Sequence, residues 1–283
     1  MKATYSEHKS DVLVSLPMYD WPEQQTSHDR FWSLLRTEML RNGFTALPES
    51  LTRDASADVW QNPQTLITQT CGFPLVHTLK HTVQLLGTPC YDVPFFTNGL
   101  YASVVLVRDD STATGILDFL QHRIAISSVH SQSGFNALRN LFISESAGAS
   151  IRFSNQTLVT GSHRESVRAV VDGQADLCAL DPVSWQLAKR YEPDTAQLRV
   201  LCQTGYSPAL PLVCSTTIAE YHANNNGGDF TVLPDTIQHC WNQAIAANVV
   251  IRDSLMLAGI TTLDRATYEA VPAGAIVWEG SAA

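Results

Sequence analysis

Three polar residues directly behind a predicted strand give the clearest chemical signal in the sequence. Ser131, Gln132 and Ser133 follow an apolar segment over 123–128, and a helix is predicted to open at Ser133. Backbone N–H groups at a helix N-terminus, together with hydroxyls, can bind an anion without any net charge. Serines at such positions are also ordinary helix N-caps. The pattern is therefore typical of either a capped turn or an oxyanion site.

Two later turns follow the same plan. His163 opens a predicted helix over 163–173, where its ring can donate to an anion or simply cap the helix. Asp181 ends a predicted strand over 175–180 and precedes Pro182, which is typical of an N-cap followed by proline at the first helical position. All three turns stand at the carboxyl ends of strands, where ligands bind in open α/β sheets. We expect them to converge on one edge.

The composition excludes several classes of protein. The 283 residues contain 18 Lys+Arg and 27 Asp+Glu, a net charge of −9, without the basic cluster that nucleic-acid binding requires. A hydrophobic content of 45% is too high for a disordered chain. No apolar run is long enough for a membrane span. The cysteines lack C-x-x-C or zinc-type spacing, so we expect neither a metal nor a cofactor.

Predicted strands alternate with predicted helices along most of the chain, which favours α/β architecture with mostly parallel sheets covered on both faces. A strand is predicted near 45–51, and extended segments dominate 84–108. We predict two doubly wound α/β domains joined by two crossing segments, with a ligand cleft between them. The first domain is predicted to comprise residues 1–105 and 207–283, and the second residues 106–206.

The order of these motifs resembles a known family. Ser-Gln-Ser-Gly at 131–134 is followed by Gly-Ser-His at 161–163, a helix that ends in Asp-Gly-Gln-Ala-Asp at 172–176, and a strand that ends at Asp181 with Trp185 beyond it. This series is similar to that of the phosphate-, phosphite- and phosphonate-binding proteins of ABC importers, which have the type 2 periplasmic-binding fold. The likeness is clearest over residues 100–185.

The resemblance implies a ligand-binding set of eight residues: Tyr19, Phe73, Tyr101, Ser131, Gln132, Ser133, His163 and Asp181. In this reading the 131–133 turn holds an oxyanion, His163 donates to it, and Asp181 accepts from a protonated phosphoryl oxygen or an amine. The three aromatic residues would pack on the organic part of the ligand. Gln132 stands where the family usually has a small hydroxyl residue.

The expected function is therefore non-enzymatic capture of a small phosphorus oxyanion for an ABC permease. An intracellular ligand sensor of the same fold is one alternative. A Ser/His/Asp hydrolase is another, and a hydrogen bond of about 3 Å between His163 and a serine hydroxyl would favour it. The spacing of His77 and His81 predicts two imidazoles one helical turn apart, which can hold a metal, although a solvated helix face is the preferred interpretation.

The compartment is left open by the sequence. The resemblance implies the periplasm, whereas the polar N-terminus lacks the apolar region of a secretory signal, which is compatible with the cytoplasm.

Overall fold

The computed structural model describes residues 12–54, 58–146 and 157–271, and the chain divides into two compact units. The first unit comprises Met1–Thr70, His77–Asp92 and Leu210–Leu263. The second comprises Cys71–Val76, Val93–Ala209 and Asp264–Ala283. The predicted domain boundaries at 105/106 and 206/207 stay a prediction. No helix in the described part of the chain is long and apolar enough to cross a membrane.

The described strands, in chain order, are β1 (Leu13–Val14), β2 (Thr65–Gln69), β3 (Val83–Tyr91), β4 (Phe96–Thr97), β5 (Leu100–Tyr101), β6 (Val104–Arg108), β7 (Ile124–Ile126), β8 (Thr157–Val159), β9 (Leu177–Leu180), β10 (Leu198–Gln203), β11 (Ser207–Pro208), β12 (Leu212–Ser215) and β13 (Leu257–Thr261). The described α-helices are α1 (Gln25–Arg41), α2 (Gly72–Val76), α3 (Ala137–Glu145), α4 (His163–Val171), α5 (Pro182–Tyr191), α6 (Thr216–Asn225), α7 (Val232–Ala247), α8 (Val249–Ser254) and α9 (Arg265–Glu269).

The first unit is built on a five-stranded sheet in the order β1, β2, β12, β3, β13. Helix α7 packs on β3 and β13 of this sheet, and helix α1 packs on α7. Helix α1 carries a buried stripe of Phe31, Leu35 and Met39, which are four residues apart and share one face. Phe31 packs edge-on against Trp241 of α7, with ring centroids 4.7 Å apart. The helix ends at Asn42, before Gly43, which adopts a φ of +92°.

The second unit contains a five-stranded sheet in the order β10, β6, β9, β7, β8 and a small antiparallel sheet of β11, β5 and β4. In the larger sheet β7 runs parallel to both β9 and β8, while β6 runs antiparallel to β9 and β10. Its apolar core consists of Val105, Val107, Ile116, Phe119, Ile124, Ile126, Leu138, Phe142, Leu177 and Ala179. This core holds the carboxyl ends of β7 and β9 in place.

The prediction of mostly parallel sheets was wrong. In the first unit β12 pairs antiparallel with both β2 and β3, and β13 pairs antiparallel with β3. Strand β12 reaches this sheet only after the chain has passed through the second unit, so no βαβ crossover sets its direction.

The prediction of a strand near 45–51 was also wrong. This segment is irregular and contains Pro48, which cannot donate to a strand ladder. Its carbonyl oxygen instead accepts hydrogen bonds from Trp32 Nε1 at 3.2 Å and Arg36 Nε at 3.0 Å on α1.

Candidate functional site

Three of the predicted turns meet at one edge of the larger sheet in the second unit. They follow β7, β8 and β9, which are parallel neighbours with β7 in the centre. Parallel strands present their carboxyl ends on the same side, so the 127–134 turn, His163 and Asp181 are brought together. The expected convergence of the three turns is confirmed.

The turn after β7 is a single π turn rather than the start of an α-helix. Asn136 N donates to Ser131 O at 3.0 Å, and Ala137 N donates to Gln132 O. Ser131 is the N-cap, and its hydroxyl accepts from Gly134 N at 3.0 Å. Helix α3 then begins at Ala137. Single π turns often occur at functional sites, because the wider ring redirects side chains and backbone groups.

Gly134 lies where only a residue without a Cβ fits. A Cβ at this position would be 2.7 Å from Ser127 Oγ, 3.0 Å from His163 Cε1 and 3.1 Å from Ser131 Oγ. Two hydroxyls and the edge of an imidazole ring therefore surround the Gly134 Cα. Ser127 and Gly134 were not among the predicted site residues, although the Ser-Gly step at 133–134 is visible in the sequence.

His163 is the first residue of α4, whose N-cap Ser162 accepts from Glu165 N at 3.1 Å. The His163 Nε2 atom is hydrogen-bonded to Ser133 Oγ at 2.9 Å and lies 3.5 Å from Asp181 Oδ2. Its other nitrogen, Nδ1, is buried and has no hydrogen-bond partner within the described residues. The two partners of this ring are therefore both on the Nε2 side.

This arrangement fixes the protonation of His163. Burial lowers the pKa of the imidazole, and the Asp181 carboxylate only partly opposes that effect, so the ring is neutral near pH 7. A neutral imidazole has one N–H, and the nearby carboxylate favours placing it on Nε2. Nδ1 is then a buried hydrogen-bond acceptor, and no described residue donates to it.

Asp181 is almost fully buried and combines two roles. It is the N-cap of α5, where its Oδ1 accepts from Ser184 N at 2.9 Å and its Oδ2 accepts from Ser184 Oγ at 2.7 Å. The predicted N-cap role before Pro182 is confirmed. Asp181 Oδ2 also lies 3.5 Å from His163 Nε2, so the N-cap of α5 faces the imidazole.

Tyr101 lies in the same cluster and is 1% exposed. Its hydroxyl has no hydrogen-bond partner among the residues that the structure describes. Burial raises the pKa of this phenol well above its ordinary value, with Cys71 and Asp181 adding to the rise and Ser133 opposing it. Burial, with a contribution from Asp181, also raises the pKa of Cys71 to about 12. Both groups are therefore neutral hydrogen-bonding groups at physiological pH.

The side chain of Gln132 is engaged within the second unit. Its Nε2 donates to Ser207 Oγ at 3.3 Å, and its Oε1 accepts from Asn136 Nδ2 at 2.9 Å. The longer side chain thus ties the π turn to β11, a contact that a small hydroxyl residue at this position could not reach.

The two remaining predicted residues lie in different units. Phe73 is on α2 in the second unit, where its ring centroid is 6.4 Å from that of His130. Tyr19 is in the first unit and packs edge-on against Tyr91, with centroids 5.2 Å apart. Their contact with a ligand stays a prediction.

No cluster of three or more His, Cys, Asp or Glu side chains that could hold a metal occurs over 12–54, 58–146 and 157–271. His77 and His81 follow the end of α2 at Val76 and lie in turns rather than on a helix. The one-turn helical spacing that would have brought their rings together is therefore absent.

The Ser133–His163 hydrogen bond is the observation that the hydrolase alternative required, but the rest of the arrangement differs from a catalytic triad. In a triad the serine and the carboxylate contact opposite ring nitrogens, so that the carboxylate orients the base. Here both lie on Nε2, and Asp181 is committed to Ser184. The ring cannot take a proton from Ser133 while Nε2 is itself protonated.

The sequence matches the family model described as the ABC transporter, phosphonate, periplasmic substrate-binding protein over residues 79–224, just over half of the chain. A comparison with curated protein sequences gave no match.

Solved structures of low sequence identity share the fold. PhnD1 from Prochlorococcus marinus, in complex with methylphosphonate, has a TM-score of 0.66 at 17% identity, with 91% of this chain and 94% of that chain covered. A binding-protein component of an ABC phosphonate transporter from Pseudomonas aeruginosa has a TM-score of 0.62 at 15% identity, covering 88% and 80%. XAC2383 from Xanthomonas citri, bound to ATP, has a TM-score of 0.60 at 17% identity, covering 93% and 96%.

These similarities confirm the type 2 periplasmic-binding fold and the predicted class of protein, which binds a solute and is not an enzyme. The chain belongs to the family of phosphonate periplasmic substrate-binding proteins of ABC transporters.

Proposed function

We propose that this protein captures a small phosphorus oxyanion, namely a phosphonate, phosphite or phosphate, at the β7–β8–β9 edge of its second unit. The observation that carries this proposal is the buried Nδ1 of His163, which has no partner among the described residues and belongs to a ring that lies next to the hydroxyls of the π turn. A buried acceptor without a partner costs free energy, which a ligand O–H would recover.

The ligand should therefore bring a proton. Phosphorus oxyanions retain one acidic proton near neutral pH, since their second ionisation lies close to pH 7, whereas sulfonates and sulfate are fully deprotonated there. A protonated phosphoryl oxygen could donate to His163 Nδ1, while the other oxygens accept from serine hydroxyls. This requirement separates phosphorus from sulfur oxyanions through a single imidazole nitrogen.

The proposed roles of the remaining residues follow from the same geometry. Ser131 and Ser133 act as donors. The Ser131 oxygen accepts from Gly134 N, and the Ser133 oxygen is hydrogen-bonded to His163 Nε2, so the hydroxyl proton of each serine can be donated to the ligand. Asp181 keeps the imidazole in its Nε2–H form. Tyr101 supplies a buried hydroxyl, and the aromatic rings of Tyr19 and Phe73 are proposed to contact the organic substituent.

Delivery to an ABC permease is the partnership that membership of this family implies. The identity of that permease, and the choice among the three ligand types, belong to this proposal. An intracellular sensor would use the same site, and no contact described above favours it.

Isothermal titration calorimetry with methylphosphonate, aminoethylphosphonate, phosphite and phosphate tests the proposal, with methanesulfonate and sulfate as comparison anions. At pH 7 we expect at least one phosphorus oxyanion to bind and both sulfur oxyanions to bind more weakly. Equal affinity for methylphosphonate and methanesulfonate would remove the proposed role of Nδ1.

The variant Ser133→Ala removes one proposed donor and should weaken binding by about 1–3 kcal/mol. Ser144→Ala is the matched control, because Ser144 is an exposed serine of α3 whose hydroxyl donates only to Leu141 O at 3.0 Å. If both variants bind like the unmodified protein, the 131–133 turn is not the oxyanion site.

A further inference from the structure

A buried arginine next to the π turn has no acidic partner among the residues that the structure describes. Arg139 on α3 is 5% exposed, and within the described chain it forms no ion pair. Its Nη2 donates to Asn136 Oδ1 at 2.6 Å, and its guanidinium lies 5.9 Å from the centroid of the Phe135 ring. Its Nε is buried and has no partner in the described ranges. Burying a charge in this way is costly unless an opposite charge or a polar network compensates it.

Arg139 begins a line of three hydrogen bonds that reaches β11. Asn136 Nδ2 donates to Gln132 Oε1 at 2.9 Å, and Gln132 Nε2 donates to Ser207 Oγ at 3.3 Å. We call this series, from Arg139 through Asn136 and Gln132 to Ser207, the arginine relay. Its intermediate members are buried, so their hydrogen bonds are shielded from competition with water.

The guanidinium determines the direction of every bond in the relay. Arginine can only donate, so the Asn136 atom that faces it must be the oxygen. The amide NH₂ of Asn136 must then face Gln132, which must turn its own oxygen to Asn136 and its NH₂ to Ser207. Ser207 is consequently an acceptor in the relay, and its own proton is left to donate elsewhere.

Ser207 is well placed for such a donation. It is 8% exposed and pairs directly with Tyr101 across the β11–β5 ladder, so the two side chains share a face of that sheet. Within the described residues its hydroxyl donates to no protein acceptor, and the Tyr101 hydroxyl beside it has no partner either. Two hydroxyl protons therefore lie next to the predicted oxyanion site.

We propose that Arg139 is a positioning residue for ligand binding, which through the arginine relay makes the Ser207 hydroxyl an additional donor to the bound anion. The inference rests on the proposed function of the site. The buried positive charge of Arg139 polarises each successive hydrogen bond of the relay as far as Ser207. The bound anion then accepts a hydrogen bond from the Ser207 hydroxyl. Arg139 thus contributes its charge to the ligand site without contacting the ligand.

A double-mutant cycle tests this role. Methylphosphonate affinity is measured by calorimetry for the unmodified protein, Ser207→Ala, Arg139→Met and the double variant. Each single change should weaken binding about tenfold, the effect of losing one hydrogen bond to a charged partner. In the double variant the loss should remain near that of Ser207→Ala alone, because Arg139 acts through Ser207. A merely structural role of Arg139 would give additive losses, which overturns the proposal.

Two further variants keep the test independent of folding. Arg139→Lys retains a charged, donor-only group and should restore most of the affinity lost in Arg139→Met. If Arg139→Met does not fold, Gln132→Met cuts the relay with Arg139 and Asn136 in place and should reproduce the Ser207→Ala loss. Ser144→Ala again serves as the neutral control.

The outcomes separate the two proposals. If the unmodified protein binds methylphosphonate and Ser133→Ala weakens that binding, while Ser207→Ala leaves it unchanged, the relay is refuted and the proposed function stands. If the unmodified protein binds no phosphorus oxyanion, both are refuted.

Discussion

Replacing Gly134 with alanine is the sharpest single perturbation of the proposed site. The added Cβ would lie 2.7 Å from Ser127 Oγ, 3.0 Å from His163 Cε1 and 3.1 Å from Ser131 Oγ. These distances are all shorter than the 3.4 Å at which ordinary van der Waals contact begins. The methyl group therefore cannot be accommodated unless the hydroxyls or the imidazole move.

The size of the effect follows from those distances. Ser127 Oγ would have to retreat by roughly 0.7 Å, and overpacking of this kind costs about 1–3 kcal/mol of folding free energy. The backbone of Gly134 has no left-handed φ, so the cost comes from the contacts alone. Because the displaced groups include Ser131, a proposed donor, and the ring of His163, whose Nδ1 is the proposed acceptor, we expect binding of methylphosphonate to fall by more than tenfold even where the protein stays folded.

Thermal unfolding and calorimetric titration should be measured on Gly134→Ala and on Gly115→Ala. Gly115 is the matched control, since it lies in the same unit, has a φ of −151° and would place its Cβ in open space. We expect Gly115→Ala to bind normally. Unchanged stability and affinity in Gly134→Ala would refute the close packing of the two serines and His163 around this glycine.

Two further predictions concern stability. Burial lowers the pKa values of His28, His163 and His222, so the folded protein binds fewer protons than the unfolded chain once the pH falls below the unfolded histidine value of about 6.5. The free energy of unfolding should therefore decrease as the pH is lowered from about 6.5 to 5, a range that lies above the pH at which carboxylates become protonated. A melting temperature that stays constant or rises between pH 6.5 and pH 5 would contradict this prediction. In the core of the second unit, Phe142 is 1% exposed, and Phe142→Ala should cost about 3–5 kcal/mol in a denaturant titration, whereas Leu158→Ala, at a position 37% exposed, should cost far less. Similar losses in the two variants would contradict the assigned core.

The turns that form the candidate site could be predicted because their signals are local. A serine, a serine-histidine pair and an aspartate-proline pair each mark a helix start within a few residues, and helices α4 and α5 begin at His163 and Pro182 as expected. The placement of these turns at one sheet edge also follows from the alternation of strands and helices. The resemblance to a binding-protein family rested on the same short motifs.

The hydrogen bonds that these residues form depend on contacts between distant parts of the chain. His163 Nε2 faces both Asp181 and Ser133. This arrangement depends on the lateral order of strands β8, β7 and β9, which the local sequence does not encode. The orientation of the Gln132 side-chain amide depends on Ser207, which is 75 residues away in the sequence. It also depends on Arg139, which is buried although arginine is usually a surface residue. Capping and periodicity act over a few residues, whereas hydrogen bonds between distant strands are set by how the sheet is assembled. Local sequence patterns therefore predict where the polar groups lie along the chain, whereas the packing of the second unit sets which of them keep an unused donor or acceptor for a ligand.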